Sequence, residues 1–204
     1  MIVVIDYNVG NVESVCNAFR HIGCQAELSR DPARIEKATG LVLPGVAAFG
    51  YAMEALGEAA EPVKQAVVAG TPILGICVGH QLLFEESAEY GPHKGLGLIQ
   101  GCVVPVPPEQ TVPHMGWNLV ELPEEMALFA SLGPAKHFYF AHSYHAQVKD
   151  KLARVARTDY GSPLTASVQK GNIYGVQFHP EKSSRQGLQV LKNFHEICAK
   201  RGVA

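Results

Sequence analysis

The feature that most restricts the fold is an alternation in the first half of the chain. Short apolar runs at residues 2–6, 24–28, 40–43 and 72–76 are separated by segments with helical spacing. Apolar runs of this length without polar alternation read as strands buried on both faces, and strands alternating with helices build a parallel sheet covered on either side. The first helix is delimited at both ends. Asn11 can cap it, Val12, Val15, Cys16, Phe19 and Ile22 share one face, and Gly23 stops it. A short helical turn is expected over 32–37, a longer helical stretch over 51–69 interrupted at Gly57 and Pro62, and a further helix over 79–87.

The second half changes character. Strands are expected at 98–106, 117–120, 137–140, 145–148 and 154–157, with few helices between them. Residues 164–169 and 173–178 flank Lys170-Gly171-Asn172, a hairpin signal, and a last amphipathic helix covers 183–200. The reading is an α/β fold with a mixed sheet, parallel in its first half and extended by antiparallel strands, with helices on both faces. Pro105, Pro107, Pro108 and Pro113 mark an irregular loop too short for a domain linker, so residues 1–204 are expected to form a single domain.

Composition narrows the class. With 47% hydrophobic and 18% charged residues, the chain is neither disordered nor a coiled coil. Seventeen Lys and Arg against nineteen Asp and Glu leave no basic excess to drive nucleic-acid binding. The start, Met1-Ile2-Val3-Val4-Ile5-Asp6, has no basic region and reads as a strand, and no apolar stretch approaches the ~18 residues of a membrane span. Five scattered cysteines without a Cys-x-x-Cys pair fit a reducing, cytoplasmic setting. No phosphate-binding loop is present, and Gly95-Leu96-Gly97-Leu98-Ile99-Gln100-Gly101 opens no helix, so no cofactor is expected. His137, His142 and His145 have no compact ligand spacing, and no metal is expected either.

The residues with chemical potential centre on Gly75-Ile76-Cys77-Val78-Gly79, between the run 72–76 and a helix. Glycine–x–nucleophile–x–glycine at a strand-to-helix turn is a nucleophile elbow, where small residues allow a strained turn that lifts the side chain out of the sheet. The helix end and a nearby histidine would favour the thiolate, and the N–H of Val78 would face a developing oxyanion. Among nine histidines, His179 ends the run 173–178, and Glu181 follows across Pro180 at the spacing that points both to one side of an extended chain. Cys77, His179 and Glu181 are therefore the candidate triad.

Two segments, Gly75-Ile76-Cys77-Val78-Gly79-His80-Gln81 and Phe178-His179-Pro180-Glu181, resemble the class I, triad-type glutamine amidotransferases. Further stretches narrow the likeness: Leu43-Pro44-Gly45-Val46, Leu82-Leu83-Phe84-Glu85, His114-Met115-Gly116-Trp117-Asn118 and His142-Ser143-Tyr144. They are similar to the glutaminase subunits of imidazole glycerol phosphate synthases. The resemblance implies a three-layer amidotransferase fold. It also implies hydrolysis of L-glutamine to glutamate and ammonia through a thioester on Cys77. Ammonia would pass to a (β/α)8-barrel cyclase, a heterodimeric partner making imidazole glycerol phosphate and AICAR in histidine biosynthesis. On this likeness Gly45, Val46 and Val78 match the oxyanion site, and Gln81, Glu89, His142, Ser143 and Tyr144 match substrate-binding positions. Asn11, Trp117 and Lys182 match the partner interface, although the lone tryptophan reads equally well as a core aromatic. Ala47 departs from the family's usual glycine and His80 from its frequent methionine. The competing readings are the same chemistry serving another synthase, such as anthranilate or aminodeoxychorismate formation, a different Cys-His-Glu hydrolase acting on peptides or esters, and a non-catalytic partner.

Overall fold

The computed structural model describes residues 1–201. Strands β1 (Ile2–Ile5), β2 (Ala26–Ser29), β3 (Gly40–Leu43) and β4 (Ile73–Ile76) are joined by α1 (Val12–His21), α2 (Pro32–Glu36), α3 (Phe49–Leu56) and α4 (Ala60–Val68). Every residue of β1, β3 and β4 is buried, as continuous apolar runs covered on both faces require. Asn11 caps α1 by accepting from the Ser14 N–H at 3.3 Å, and Asp31 caps α2 ahead of Pro32. A single 3₁₀ turn at Gly57–Ala59 divides α3 from α4.

The remaining strands are β5 (Phe84–Ser87), β6 (His93–Lys94), β7 (Ile99–Pro105), β8 (His114–Glu121), β9 (Ala135–His142), β10 (Tyr144–Val148), β11 (Arg154–Asp159), β12 (Pro163–Lys170) and β13 (Ile173–Val176). Two further helices are α5 (Val78–Gln81), directly after β4, and the closing α6 (Ser184–Arg201). The main sheet has nine strands in the order β2-β1-β3-β4-β13-β12-β11-β8-β9. The five strands from β2 to β13 run parallel, and from β13 onward each neighbour is antiparallel. The parallel-then-antiparallel expectation holds. The hairpin also forms, with Lys170 paired to Ile173 across Gly171-Asn172.

Two expectations need correction. The helix expected over 79–87 ends at Gln81, and Phe84–Ser87 is a strand. Leu82, Leu83 and Phe84 are all fully buried, so apolar spacing there reflected burial on every side rather than one helical face. The antiparallel strands also do not all extend one sheet. β10, β7, β5 and β6 form a second, four-stranded sheet, in which β7 runs parallel to β5 and antiparallel to β10. The chain passes from the main sheet to this one at a single residue, Ser143, between β9 and β10. Smaller differences are boundary shifts of the usual kind, such as β8 beginning at His114 instead of Trp117.

What positions the site is one strand pair. β4 and β13 are parallel neighbours in register, Gly75 opposite Gly175 and Ile76 opposite Val176. Their C-terminal ends therefore lie side by side at the sheet edge where open parallel sheets keep their sites. Below them the core closes with α6, through Val190, Leu191 and Phe194, and with Phe178 stacked on Phe138 at 4.0 Å.

Candidate active site

The turn after β4 is strained and sterically locked. Cys77 has φ 54° and ψ −112°, a region that L-residues other than glycine rarely occupy. A Cβ on Gly79 would stand 1.6 Å from the Leu43 carbonyl oxygen, and one on Gly75 would stand 2.5 Å from the Gly79 carbonyl oxygen. Only glycine fits at either position. The turn is held by the Cys77 N–H donating to the Val176 carbonyl at 2.8 Å, a bond to the neighbouring strand. α5 spans four residues only, so its dipole contributes little at the sulfur.

From the end of β13, His179 is brought beside this turn. Its Nδ1 lies 2.8 Å from Glu181 Oε1, and both side chains are nearly excluded from solvent. Nδ1 is thereby occupied, and Nε2, which has no other partner, is the atom left for Cys77. Burial disfavours a charge on this ring, but interaction with Cys77 and Glu181 outweighs it and pushes the His179 pKa up to about 9. The turn Pro180–Lys182 is fixed from behind, with Ser183 Oγ donating to the His179 carbonyl at 2.6 Å and accepting from the Tyr139 N–H at 3.0 Å.

A pocket of about 370 Å³ opens over Cys77. Val46, Ala47, Val78, Gln81, Glu89, Tyr90, Met115, His142, Ser143 and Tyr144 line it. The structure thus gathers the predicted nucleophile, the predicted substrate residues and, of the predicted oxyanion residues, Val46 and Val78 around one cavity, while Gly45 does not line it. Several of them are already bonded. Glu89 accepts from the Phe49 N–H at 2.6 Å, and Gln81 donates to the Tyr144 carbonyl at 2.9 Å and to Gln177 Oε1 at 3.1 Å. The Val78 N–H donates to the Gly45 carbonyl at 3.3 Å, so one expected oxyanion donor is occupied by the strand expected to supply the other. That strand is held on its far side by the buried Tyr7 hydroxyl, which donates to the Pro44 carbonyl. Ala47 has no positive φ, and its Cβ is accommodated without backbone strain.

The three predicted interface residues lie on the surface. Trp117 is 52% exposed on β8, which excludes a core role. It meets Tyr139 edge-on at 6.2 Å, and Lys182 sits 5.9 Å above the same ring. Asn11 is exposed at the start of α1, which packs beside the Pro180–Lys182 turn. Sequence reasoning missed Gln177, fully buried and with Nε2 3.8 Å from Cys77 Sγ. Its spacing of two from His179 along an extended segment was the available signal. It also missed Tyr7, which no local pattern marks, and gave no role to His114, although that residue lies in a stretch shared with the resembled family. Among the described residues, no group of three His, Cys, Asp or Glu side chains is placed to hold a metal, and no helix is long and apolar enough to cross a membrane.

Comparison with known proteins identifies the family. The family model of class-I glutamine amidotransferases matches residues 3–197. The imidazole glycerol phosphate synthase subunit HisH of Methanothermobacter thermautotrophicus is 48% identical over 197 residues, covering 97% of this chain and 98% of its own. The HisH subunit of Symbiobacterium thermophilum is 47% identical over 195 residues, covering 95% and 92%. A solved glutamine amidotransferase structure, 20% identical, shares the fold with a TM-score of 0.78 over 98% of this chain and all of that one. A buried Cys-His-Glu arrangement at the ends of two neighbouring parallel strands, in a chain this similar to HisH subunits, places it in the class-I glutamine amidotransferase family, on the HisH branch.

Proposed function

We propose that this chain hydrolyses L-glutamine to glutamate and ammonia through a thioester on Cys77. The ammonia goes to a (β/α)8-barrel cyclase that completes an imidazole glycerol phosphate synthase. The observation that carries the reading is the juxtaposition of β4 and β13, which brings the buried His179–Glu181 pair to Cys77, a residue that lines the pocket. Residues 1–204 act as one amidotransferase domain in the cytoplasm, and Asn11, Trp117 and Lys182 face the cyclase.

The chemistry follows from the protonation states. The Cys77 thiolate attacks the side-chain amide carbon, forming the C–S bond while the carbonyl π electrons move to oxygen. The resulting tetrahedral oxyanion collapses, and the proton on His179 Nε2 leaves with the amine as ammonia. His179, now neutral, takes a proton from water, the hydroxide attacks the thioester carbon, and glutamate departs as the thiolate is regenerated. Glu181 holds His179 in the tautomer and orientation this sequence needs. Gln81, Glu89 and the His142-Ser143-Tyr144 segment position the amino-acid end of glutamine.

The oxyanion needs donors, and this conformation withholds one. Turning over the Gly45–Val46 peptide would remove the carbonyl now bonded to the Val78 N–H and present the Val46 N–H in its place. Hydrolysis by the isolated chain should therefore be slow. The test is glutamate release by the purified chain, alone and with the cyclase and its phosphoribosyl substrate. A rate that is low alone and rises strongly with the loaded partner is expected. A partner-independent rate, or release by Cys77→Ala at the parent rate, overturns the reading.

A further inference from the structure

His142-Ser143-Tyr144, which spans the joint between the two sheets at Ser143, lines the same pocket as Cys77. His142 is paired with His114 in the main sheet and Tyr144 with Pro105 in the second, and the Ser143 carbonyl accepts from the Val106 N–H at 2.9 Å. The structure shows a chain of buried side chains behind it. His142 Nδ1 lies 2.8 Å from the Tyr144 carbonyl, and His142 Nε2 lies 2.9 Å from His114 Nδ1. Behind these, His114 Nε2 lies 3.3 Å from Asn118 Nδ2.

Hydrogen-bonding capacity gives this chain a direction. A carbonyl can only accept, so His142 carries its proton on Nδ1, and its Nε2 is an acceptor. His114 must then donate from Nδ1, which leaves its Nε2 to accept from the Asn118 amide. Asn118 Nδ2 donates as well to the Asp159 carbonyl at 2.8 Å, and its Oδ1 accepts from the Leu119 N–H at 2.8 Å, so the amide orientation is set independently. Both imidazoles are neutral in this arrangement. Burial is the main cause, and it lowers His114 to about 4 and His142 to about 3. His114 is clamped between Tyr160 at 4.0 Å and Phe140 at 4.7 Å, which fixes its ring plane.

The chain ends where the two pocket walls meet. The Tyr144 carbonyl receives His142 from one side and Gln81, on the nucleophile's helix, from the other. Both of its lone pairs are used, and the orientation of that peptide is determined.

We propose that His114 is a positioning residue for glutamine binding: as the fixed donor to His142, it holds the joint 142–144 in its binding shape. The inference rests on the reading of that segment as the substrate wall. Through Asn118, next to Trp117 on β8, it also ties the exposed strand to the pocket.

Two measurements test it. The first is nitrogen-15 NMR of histidine-labelled protein at pH 7, which needs no assumption about substrate. Both rings are expected neutral, each with its proton on Nδ1. A proton on Nε2 of either ring, or rapid tautomer exchange, overturns the proposal. The second is glutamine hydrolysis in the cyclase complex by His114→Phe, which keeps the stacked ring but removes the donor, and by His114→Gln, which restores one. His114→Phe should raise KM roughly tenfold with kcat within about threefold, as expected for loss of a buried hydrogen bond that acts on binding, and His114→Gln should recover part of it. An unchanged KM in a folded His114→Phe, or an equal loss in kcat, overturns it. If that variant does not fold, the tautomers of the parent decide. A parent complex that hydrolyses no glutamine, with the tautomers as stated, would instead fault the functional reading.

Discussion

The two walls of the pocket are held by different physics. On the nucleophile side, residues 75–79 are set by backbone geometry: a positive φ at Cys77, two glycines with no room for a Cβ, and a main-chain bond to β13. At residues 142–144, backbone pairing is supplemented by side chains drawn from β8 and α5. The first device is rigid, because a Cβ at Gly75 or Gly79 would meet backbone inside van der Waals contact. The second adds side-chain bonds from residues 114 and 81, each of which one substitution can remove. A site that must keep its nucleophile fixed and admit a substrate beside it gains from having one wall of each kind.

The contrast can be broken most severely at Gly79. Gly79→Ala forces a Cβ onto the Leu43 carbonyl, and thermal or urea unfolding should show a loss of roughly 3 kcal/mol or more, as for severe overpacking. Gly133→Ala, where a Cβ meets nothing within 4 Å but φ is +76°, should cost only about 1 kcal/mol.

Next in size is Glu181→Gln, which keeps the shape of the buried pair and removes its charge. Its kcat should fall roughly 10²-fold or more, because His179 loses both its orienting partner and the support for its proton. The pH–rate profile is the sharper readout. In the parent, activity should decline as pH rises through about 9, where His179 gives up the proton that the leaving ammonia needs, and in Glu181→Gln that limb should move to lower pH. The folded pKa lies above the ordinary value of 6.5, so this group's contribution to stability is present below 6.5 and lost as pH rises through about 9.

Smaller is the strain at the nucleophile itself. Cys77→Ala and Cys77→Gly should both release no glutamate, yet the glycine variant should be the more stable by about 1–2 kcal/mol, since only it relieves the φ of 54°. Equal stabilities would mean that the turn is not strained.

The smallest effect belongs to the wall at residues 142–144. His114, at about 4 when folded, binds its proton more readily when unfolded, so its contribution is present above 6.5 and lost as pH falls through about 4. His80, buried within α5 and lowered by burial to about 3, acts in the same direction. Unfolding free energy should therefore fall on acidification from pH 6.5. His114→Phe should flatten that slope by at most one proton, about 1.4 kcal/mol per pH unit.

Legibility followed the same division. The elbow was readable because glycine at two positions around a cysteine is a local steric demand, and His179 with Glu181 because extended chain puts alternate residues on one side. The apolar runs of β1, β3 and β4 were readable because burial on both faces leaves no polar alternation. Residues 82–87 were misread because buried apolar residues look alike in a helix and in a strand, and only pairing with β7 decides between them. Trp117 stayed open between core and surface until β8 was seen to present Met115, Trp117 and Leu119 outward.

The amino-acid sequence alone marked the buried strands of the parallel half, the glycine-flanked turn at Cys77 and the pairing of His179 with Glu181, because each leaves a pattern among residues close in the chain. Tertiary structure alone decided that β13 lies next to β4, that Gly45 occupies the Val78 N–H, that the chain changes sheets at Ser143, and that His114 reaches His142. Those contacts join residues tens of positions apart. Their energy depends on where the backbone brings donors and acceptors together, which no local pattern records.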